Sequence, residues 1–337
     1  MSLKRELKIT YGIETLPEND PYIELAESAL KLFGEVTAPS ACLADVIPIL
    51  KYIPSWFPGA GFKRKAQLLN AELNAMITVP FSVVKNVMKA DNAPPSIVRT
   101  FLEEIESKGH NATAEEQKII QSVAGIIYMG AIDTTDSVLQ MFFMAMLLYP
   151  DVQKKAQAEL DKVVGDDKLP SFDDRKNLPY VEAICKEALR WHPVAPAAFP
   201  HMLKEDDIIG EYFVPKGTIV MGNTWSLLHA KSVYGDDVNE FNPDRFMNPE
   251  TKYPDSAFGF GRRICPGRHI ADNILFILIA NVLHTFDITP FKSSTGGTEI
   301  PSSDSFVSGL ISRPMPFKCQ FTPRATIASM ERLAGFE

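Results

Sequence analysis

Apolar segments with helical spacing, separated by breaks that contain proline or glycine, make up most of the chain. Such segments recur at roughly 20–33, 62–89, 97–108, 151–164, 180–191 and 267–285. Gly165 and Pro193 stand where two of these patterns stop, and Pro150 ends a longer pattern that stops at Tyr149; both residue types end helices. The pattern therefore predicts a mainly helical protein.

The longest helical segment begins at a capping box, Thr113-Ala-Glu-Glu116, and continues to Tyr149. It is about 36 residues long, or roughly 54 Å, and it is apolar on most faces. Asp133 and Asp136 divide it into two uncharged stretches of 14 residues, which are too short to cross a bilayer. We therefore predict a buried core helix and no transmembrane segment in this chain.

Strand signals are weaker and confined to the C-terminal half. Glu211–Val214 and Thr218–Met221 flank Pro215-Lys-Gly217, which predicts a hairpin, and apolar residues alternate from Phe317 to Phe321. No linker rich in proline, serine or glycine divides the chain. We expect one domain over residues 1–337, mainly α with small β-sheets.

Composition excludes several classes of protein. The chain has 337 residues, 45% of them hydrophobic, and a formal net charge of −8, which argues against a nucleic-acid binder. Its four cysteines form no Cys-x-x-Cys pair. This argues against a disulfide framework, a zinc ribbon and covalent heme attachment, and favours a reducing compartment.

The decapeptide Phe258-Gly-Phe-Gly-Arg-Arg-Ile-Cys-Pro-Gly267 sets one cysteine, Cys265, among glycines and arginines. Glycines let backbone N–H groups approach the sulfur, and these groups and the nearby positive charge stabilise a thiolate. The segment is therefore a candidate metal-thiolate loop. Two alternatives are an inert cysteine in a turn and a zinc site with His269, although no second ligand pair accompanies those two residues.

Two other polar groups stand out within apolar surroundings. Glu187 and Arg190 are three residues apart and share a helix face, and Arg245 is a candidate partner for them. Asp133 and Thr134 lie midway along the long helix, where a threonine bonded to the carbonyl four residues back can bend the helix. The alternative for both groups is an ordinary solvent-facing helix surface.

Together these residues resemble the cytochrome P-450 superfamily. The decapeptide matches the heme signature F-x-x-G-x-R-x-C-x-G at every fixed position, and the other two groups resemble the E-x-x-R and A/G-G-x-D/E-T motifs, with Ala131 replacing the usual glycine. The resemblance implies a non-covalent heme b whose axial iron ligand is Cys265. It also implies that the cofactor contacts Phe258, Gly267, Arg263 and His201. Glu187, Arg190 and Arg245 would form a structural charge network, and Asp133 and Thr134 would relay protons and activate oxygen.

The resemblance also implies a function. It predicts a heme-dependent monooxygenase that inserts one oxygen atom from O₂ into a hydrophobic small molecule. Electrons would come from NADPH through a flavoprotein reductase, with cytochrome b5 as a second donor. Family members are usually anchored to the endoplasmic reticulum membrane and face the cytosol. Segments that resemble substrate-recognition regions are Val194–Ala198, Ser308–Ile311, and Ile126, Ile127 and Gly130.

Within the family, Leu178–Ala183 and the Pro215 turn look closest to fungal microsomal members of the O-methylsterigmatocystin oxidoreductase-like kind, which suggests secondary metabolism. The N-terminal anchor, first helices and part of a sheet have no counterpart, so we expect a P-450 fold that lacks its N-terminal portion. A non-catalytic remnant is the main alternative. A heme-thiolate isomerase or dehydratase is a third, and Asp133-Thr134 argues against it.

Overall fold

A computed structural model describes residues 2–37, 44, 47–90, 92–292, 297–307 and 309–324. The chain divides into two compact units, residues 1–136 and 137–337. The described elements are mainly helices, with short antiparallel strands in the second unit. This confirms the predicted fold class, whereas a single domain over the whole chain stays a prediction.

The first unit is built from helices only, among its described residues. These helices are α1 (Ser2–Tyr11), α2 (Pro21–Thr37), α3 (Gly61–Lys89), α4 (Ile97–Ser107) and the first part of α5 (Ala114–Leu148), with a short 3-10 helix at Pro48–Tyr52. Their apolar faces form a core that includes Leu7, Tyr11, Met76, Phe81, Val98, Ala124 and Tyr128. At Gly125 of α5, an added Cβ would lie 2.6 Å from Ile77 Cγ1, so glycine permits the close approach of α3.

Side-chain caps explain where several of these helices begin. Asp20 accepts hydrogen bonds from the backbone N–H groups of Tyr22 and Ile23 at the start of α2, and Ser96 caps α4. The capping box at α5 is confirmed: Glu116 accepts from Thr113 N at 2.8 Å, and Glu116 N donates to Thr113 Oγ1 at 3.3 Å. Orphan N–H groups at helix starts are thereby satisfied.

Helix α5 runs unbroken for 35 residues. Among the described residues it alone is long and apolar enough to cross a membrane by composition, with a mean hydropathy of 1.2 over its best window. However, 56% of that window is buried inside the protein. The core helix of a folded domain meets the same criterion.

The second unit contains the end of α5 and the remaining helices: α6 (Pro150–Val163), α7 (Pro179–Trp191), α8 (Thr224–Leu228), α9 (Lys231–Tyr234) and α10 (Arg268–Thr285). Its largest apolar cluster includes Phe142, Leu160, Ile184, Trp191, Phe276 and Ile279. Short 3-10 helices lie at Phe172–Asn177, Pro243–Met247, Asp255–Phe258 and Gly261–Arg263. The predicted helices at 151–164, 180–191 and 267–285 match α6, α7 and α10 to within one residue at each end.

The strands of the second unit form small antiparallel sheets. Those described are β1 (His201–Met202) with β4 (Ile219–Val220), β2 (Asp207–Ile209) with β3 (Tyr212–Val214), β5 (Phe286–Lys292) with β6 (Thr298–Glu299) and β9 (Cys319–Pro323), and β7 (Phe306–Val307) with β8 (Arg313–Pro314). The late strand predicted from alternation is β9. Its partner β5 was not predicted.

The predicted hairpin across Pro215-Lys-Gly217 is wrong in its pairing. The turn forms, since Thr218 N donates to Pro215 O at 3.2 Å, but the two strands join different sheets. Gly210, at φ +63, allows a tight reversal that pairs β3 with β2 instead. Leu203 then exchanges backbone hydrogen bonds with Gly217 and Thr218, which directs β4 to β1.

Candidate functional site

The loop that carries Cys265 is closed by its own backbone. Cys265 N donates to Phe258 O at 2.8 Å, and the glycines between them, Gly259 at φ +88 and Gly261 at φ +55, take conformations that other residues rarely adopt. Helix α10 starts three residues later. The sulfur therefore lies near a helix N-terminus, where N–H groups and the helix dipole favour negative charge.

Cys265 is half-buried and is not in a disulfide. Gly267 borders it closely, because an added Cβ at Gly267 would lie 3.8 Å from the Cys265 sulfur. Phe258, half-buried, packs against the main apolar cluster of the second unit. Arg263 is exposed, and His201 is exposed on β1, where it pairs with Val220.

Gly222 is a site residue that the sequence did not reveal. An added Cβ at this position would lie 2.3 Å from the Phe260 ring, so only glycine leaves room for that ring of the Cys265 loop. Thr224 Oγ1 lies 3.5 Å from Ser256 O nearby. The loop thus rests on the segment between β4 and α8. Nothing local to Gly222 indicates this, because its partner is 38 residues away.

The predicted charge network lies together in the core of the second unit. Arg190 donates to Glu187 twice, from Nε to Oε2 at 2.7 Å and from Nη2 to Oε1 at 2.8 Å, and both side chains are 0% exposed. Arg245 Nε lies 3.2 Å from Glu187 Oε1, and its side chain is 5% exposed. One buried carboxylate therefore faces two guanidinium groups.

Backbone carbonyls and a second carboxylate complete this network. Arg190 also donates to the carbonyls of Leu228, Val238 and Glu240 at 2.8–3.1 Å, so its remaining N–H groups are satisfied. Arg245 pairs with Asp237 at 2.9 Å. Burial raises the pKa of Asp237, but hydrogen bonds from Asn242 and Arg245 outweigh it and lower the pKa overall. The charges of these four groups sum to zero: the two buried guanidinium groups are balanced by the buried Glu187 carboxylate and the partly exposed Asp237 carboxylate.

In the first unit, α5 carries the predicted acid and hydroxyl. Thr134 Oγ1 donates to Gly130 O at 2.8 Å, the bond to the carbonyl four residues back that can bend a helix. Asp133, Thr134 and Ala131 are half-buried. Among the predicted substrate contacts, Ser308 lies outside the described residues.

The donors present suit heme better than a bare metal ion. Within the described ranges, no group of three His, Cys, Asp or Glu side chains lies close enough together to hold a metal ion. These residues therefore do not provide the ligands of a zinc site. Heme needs only one protein ligand when that ligand is a cysteine thiolate. A single half-buried cysteine in a closed glycine loop meets that requirement.

Comparison with known proteins identifies the class. The sequence model of the family described as "Cytochrome P450" matches residues 7–321, and the chain therefore belongs to the cytochrome P450 family.

Its relatives include fungal proteins named as monooxygenases. Cytochrome P450 monooxygenase 208 of Postia placenta is 41% identical over 329 residues, covering 96% of this chain and 62% of that protein. The monooxygenases claR of Ampulloclitocybe clavipes and ppsD of Aspergillus oryzae are each 40% identical, covering 96% and 94% of this chain and 60% and 61% of theirs. The chain thus spans about three fifths of the length of these relatives. The particular resemblance to O-methylsterigmatocystin oxidoreductase is not shown by them.

Proposed function

We propose that this chain supplies the heme-binding part of a monooxygenase that inserts one oxygen atom from O₂ into a hydrophobic organic substrate. The observation that carries the proposal is Cys265, free of disulfide and held at the start of α10 in a chain of the cytochrome P450 family. Heme, when bound, supplies the oxidative chemistry, and thiolate ligation favours O–O cleavage.

The residues around Cys265 have distinct proposed roles. The closed loop holds Cys265 at the start of α10, where it would ligate the heme iron. Phe258 and Gly267 border the ligand, and Arg263 and His201 pair with the heme propionates; the exposure of both side chains leaves them able to meet an anionic group. The buried network of Glu187, Arg190 and Arg245 supports the fold and takes no part in proton transfer.

On α5, Asp133 is proposed to relay protons, and Thr134 to hold a proton beside the oxygen that is being activated. In this structure the hydroxyl of Thr134 donates its hydrogen bond to Gly130 O. To donate elsewhere, the O–H group must turn about the Cβ–Oγ bond or the side chain must change its χ1 rotamer, and a threonine in a helix populates two χ1 rotamers. Acid and hydroxyl would act as one relay.

Partners and location follow the same proposal. Electrons would come from NADPH through a flavoprotein reductase, with cytochrome b5 as a second donor, since the sequence has no dinucleotide-binding motif. The substrate would be hydrophobic and would contact Val194–Ala198 and Gly309–Ile311, which are small or apolar.

A surface of the first unit supports contact with the endoplasmic reticulum membrane. Tyr52 and Trp56 are 74% and 78% exposed, and the basic residues Lys63, Arg64 and Lys65 follow. Exposed aromatics beside basic residues suit a membrane interface. A variant with Tyr52→Ser and Trp56→Ser should float less with anionic vesicles than the parent chain; equal flotation would contradict this assignment.

The central experiment is spectroscopic. The chain is expressed with heme supply, reduced and exposed to CO. We expect the red-shifted band of a thiolate–CO complex, its loss in Cys265→Ala, and its retention in Cys319→Ala, which removes another half-buried cysteine. Failure of the parent chain to take up heme would favour the non-catalytic remnant, and an unchanged band in Cys265→Ala would remove Cys265 as the ligand.

A second experiment addresses turnover. In the heme-loaded chain with a reductase, Thr134→Ala should divert electrons to peroxide. Ser122→Ala is the matched control, since Ser122 makes the same bond to the carbonyl four residues back, to Lys118 O at 2.8 Å on the same helix. Equal peroxide yields from the two variants would argue against the role of Thr134, and product formation without O₂ or reductase would favour an isomerase or dehydratase.

A further inference from the structure

Two aromatic rings from distant parts of the second unit lie face to face at the end of α7. The ring of His192, the residue after α7, stacks on the ring of Phe306 at the start of β7, with centroids 3.8 Å apart and planes at 22°. Trp191 meets the His192 ring edge-on at 4.7 Å, and the Trp225 ring lies 5.3 Å away. His192 therefore has aromatic neighbours in its own segment and in two distant ones.

Hydrogen bonds join the same two segments. Ser312 N donates to Val194 O at 2.7 Å, and the Ser303 backbone lies close enough to the His192 ring to raise the pKa of that ring. The segment after α7 is thus linked to the chain on both sides of Phe306. Val194 lies only two residues beyond His192, so both links act on the same short stretch.

The β7–β8 hairpin has little else of its own to fix its position. Its ladder consists of Phe306 opposite Pro314 and Val307 opposite Arg313, and an isolated two-stranded hairpin is marginal in water. Its placement must therefore come from contacts with its surroundings. Among the described contacts, the His192–Phe306 stack and the Ser312–Val194 hydrogen bond join it to the segment after α7.

The stack is a contact between neutral rings. Burial lowers the pKa of His192 to about 3, and a protonated His229 and the Arg190 charge act in the same direction, while the Ser303 backbone opposes them. The ring is therefore uncharged at physiological pH, and a phenyl ring could replace it in the stack.

We infer that His192 and Phe306 are positioning residues that fix the hairpin segment 309–312 against segment 194–198 and so set the shape of the substrate pocket. The inference rests on the proposed function, which assigns substrate contacts to these two segments. His192 and Phe306 need not touch the substrate, because they act through the backbone of Val194 and Ser312.

The first test uses amide hydrogen exchange and needs no heme. In His192→Ala the amides of Ser312 and Met315 should lose protection, since Met315 N closes the hairpin on Ser305 O at 2.8 Å. His192→Phe, which keeps a ring for the stack, should restore it. Phe172→Ala is the control: it removes another ring contact in this unit, with Phe276 at 6.3 Å, and should leave both amides protected.

The second test uses two azole probes on the heme-loaded chain, titrated by their spectral shifts. Imidazole reports on access to the iron, whereas 4-phenylimidazole also meets the pocket walls. His192→Ala and Phe306→Leu should weaken 4-phenylimidazole binding by about 2- to 10-fold, the range expected for an aromatic pair, and leave imidazole binding unchanged. His192→Phe should bind both probes as the parent chain does.

The outcomes separate this inference from the proposed function. Unchanged amide protection in both His192→Ala and Phe306→Leu overturns the inference, and so does an equal loss of affinity for the two probes, which indicates general damage. Unchanged binding of both probes with altered protection also overturns it. Failure of the parent chain to bind heme overturns the proposed function, and the exchange data then still decide whether the stack holds the hairpin.

Discussion

Replacing Glu187 with glutamine tests how the second unit tolerates its buried charges. The carboxylate accepts from Arg190 Nε and Nη2, Arg245 Nε and the backbone N–H of Asn242, at 2.7–3.2 Å. Glutamine has nearly the same shape but no charge and only one acceptor oxygen. Two guanidinium groups, one of them wholly buried, would then face a neutral amide. The N–H groups of that amide would face the N–H groups of an arginine, and neither can accept a hydrogen bond.

The expected cost is large. Removing one member of a buried ion pair typically costs about 3–5 kcal/mol, because the partner charge stays buried. We place Glu187→Gln near the lower end, because the remaining oxygen keeps part of the bonding, and Glu187→Ala near the upper end. A typical free energy of unfolding is about 5–15 kcal/mol, so either change removes a substantial part of it.

The assay is urea unfolding followed by far-ultraviolet circular dichroism, and it requires no cofactor. With an m-value of about 3 kcal/mol/M, a loss of about 3 kcal/mol lowers the midpoint by about 1 M. Asp237→Asn is the matched control. It also faces Arg245, at 2.9 Å, but its side chain is 42% exposed, so the expected cost is below about 1 kcal/mol.

Equal midpoints for Glu187→Gln and Asp237→Asn would refute the reasoning, since burial would then make no difference. A double variant that combines Glu187→Gln with Arg245→Gln gives a second check. It should cost less than the sum of the two single changes, because one stranded charge is removed together with its partner.

Three further changes have defined outcomes. Acid should destabilise the chain through His192, because the pKa of His192 in the folded chain, about 3, lies below its ordinary value of 6.5. The unfolded chain therefore binds the proton first, and the free energy of unfolding falls by about 1.4 kcal/mol per pH unit from pH 6.5 towards pH 3. His192→Phe should remove this dependence. Gln153→Leu should cost about 2–4 kcal/mol in urea unfolding, because its side chain bonds both Ile288 N and Ile288 O, at 2.7 and 3.0 Å, in a buried place. Gly259→Ala should cost about 1–2 kcal/mol at φ +88, whereas Gly34→Ala, in the last turn of α2 with open space around it, should be neutral or stabilising.

Each of these has a contrary result. The same slope of stability against pH in the parent chain and in His192→Phe would mean that His192 is not the titrating group. A change below about 0.5 kcal/mol in Gln153→Leu would show that Ile288 finds other partners. Equal effects of the two glycine substitutions would show that the backbone of the Cys265 loop relaxes without strain.

Much of the helical structure could be predicted from the sequence. A helix is built from bonds between residues four apart, so caps, prolines and apolar spacing in one stretch determine where it begins and ends. This is why α6, α7 and α10 agree with the prediction, and why the capping box at Thr113 forms as predicted. The same locality applies to the Cys265 loop, whose glycines, cysteine and following helix lie within one short segment.

Strand pairing could not be predicted in this way. A strand forms its hydrogen bonds with a partner strand, and the residues of one strand do not indicate how far along the chain that partner lies. The sequence around Pro215 indicates a turn correctly, yet Gly210 and Leu203 decide which strands pair. β5 was missed for a related reason: it contains Pro290, and its partner β9 begins 27 residues after it ends.

The sequence by itself determined the family, the cysteine loop and the membership of the charge network, since each is carried by residue types at fixed spacing. Only the tertiary structure decided what satisfies the buried charges and what holds the loops. Three contacts join segments more than thirty residues apart: the hydrogen bonds from Arg190 to backbone carbonyls, the contact of the Phe260 ring with Gly222, and the stack of His192 on Phe306. Such contacts depend on how the chain folds back on itself, and no local pattern of residues encodes them.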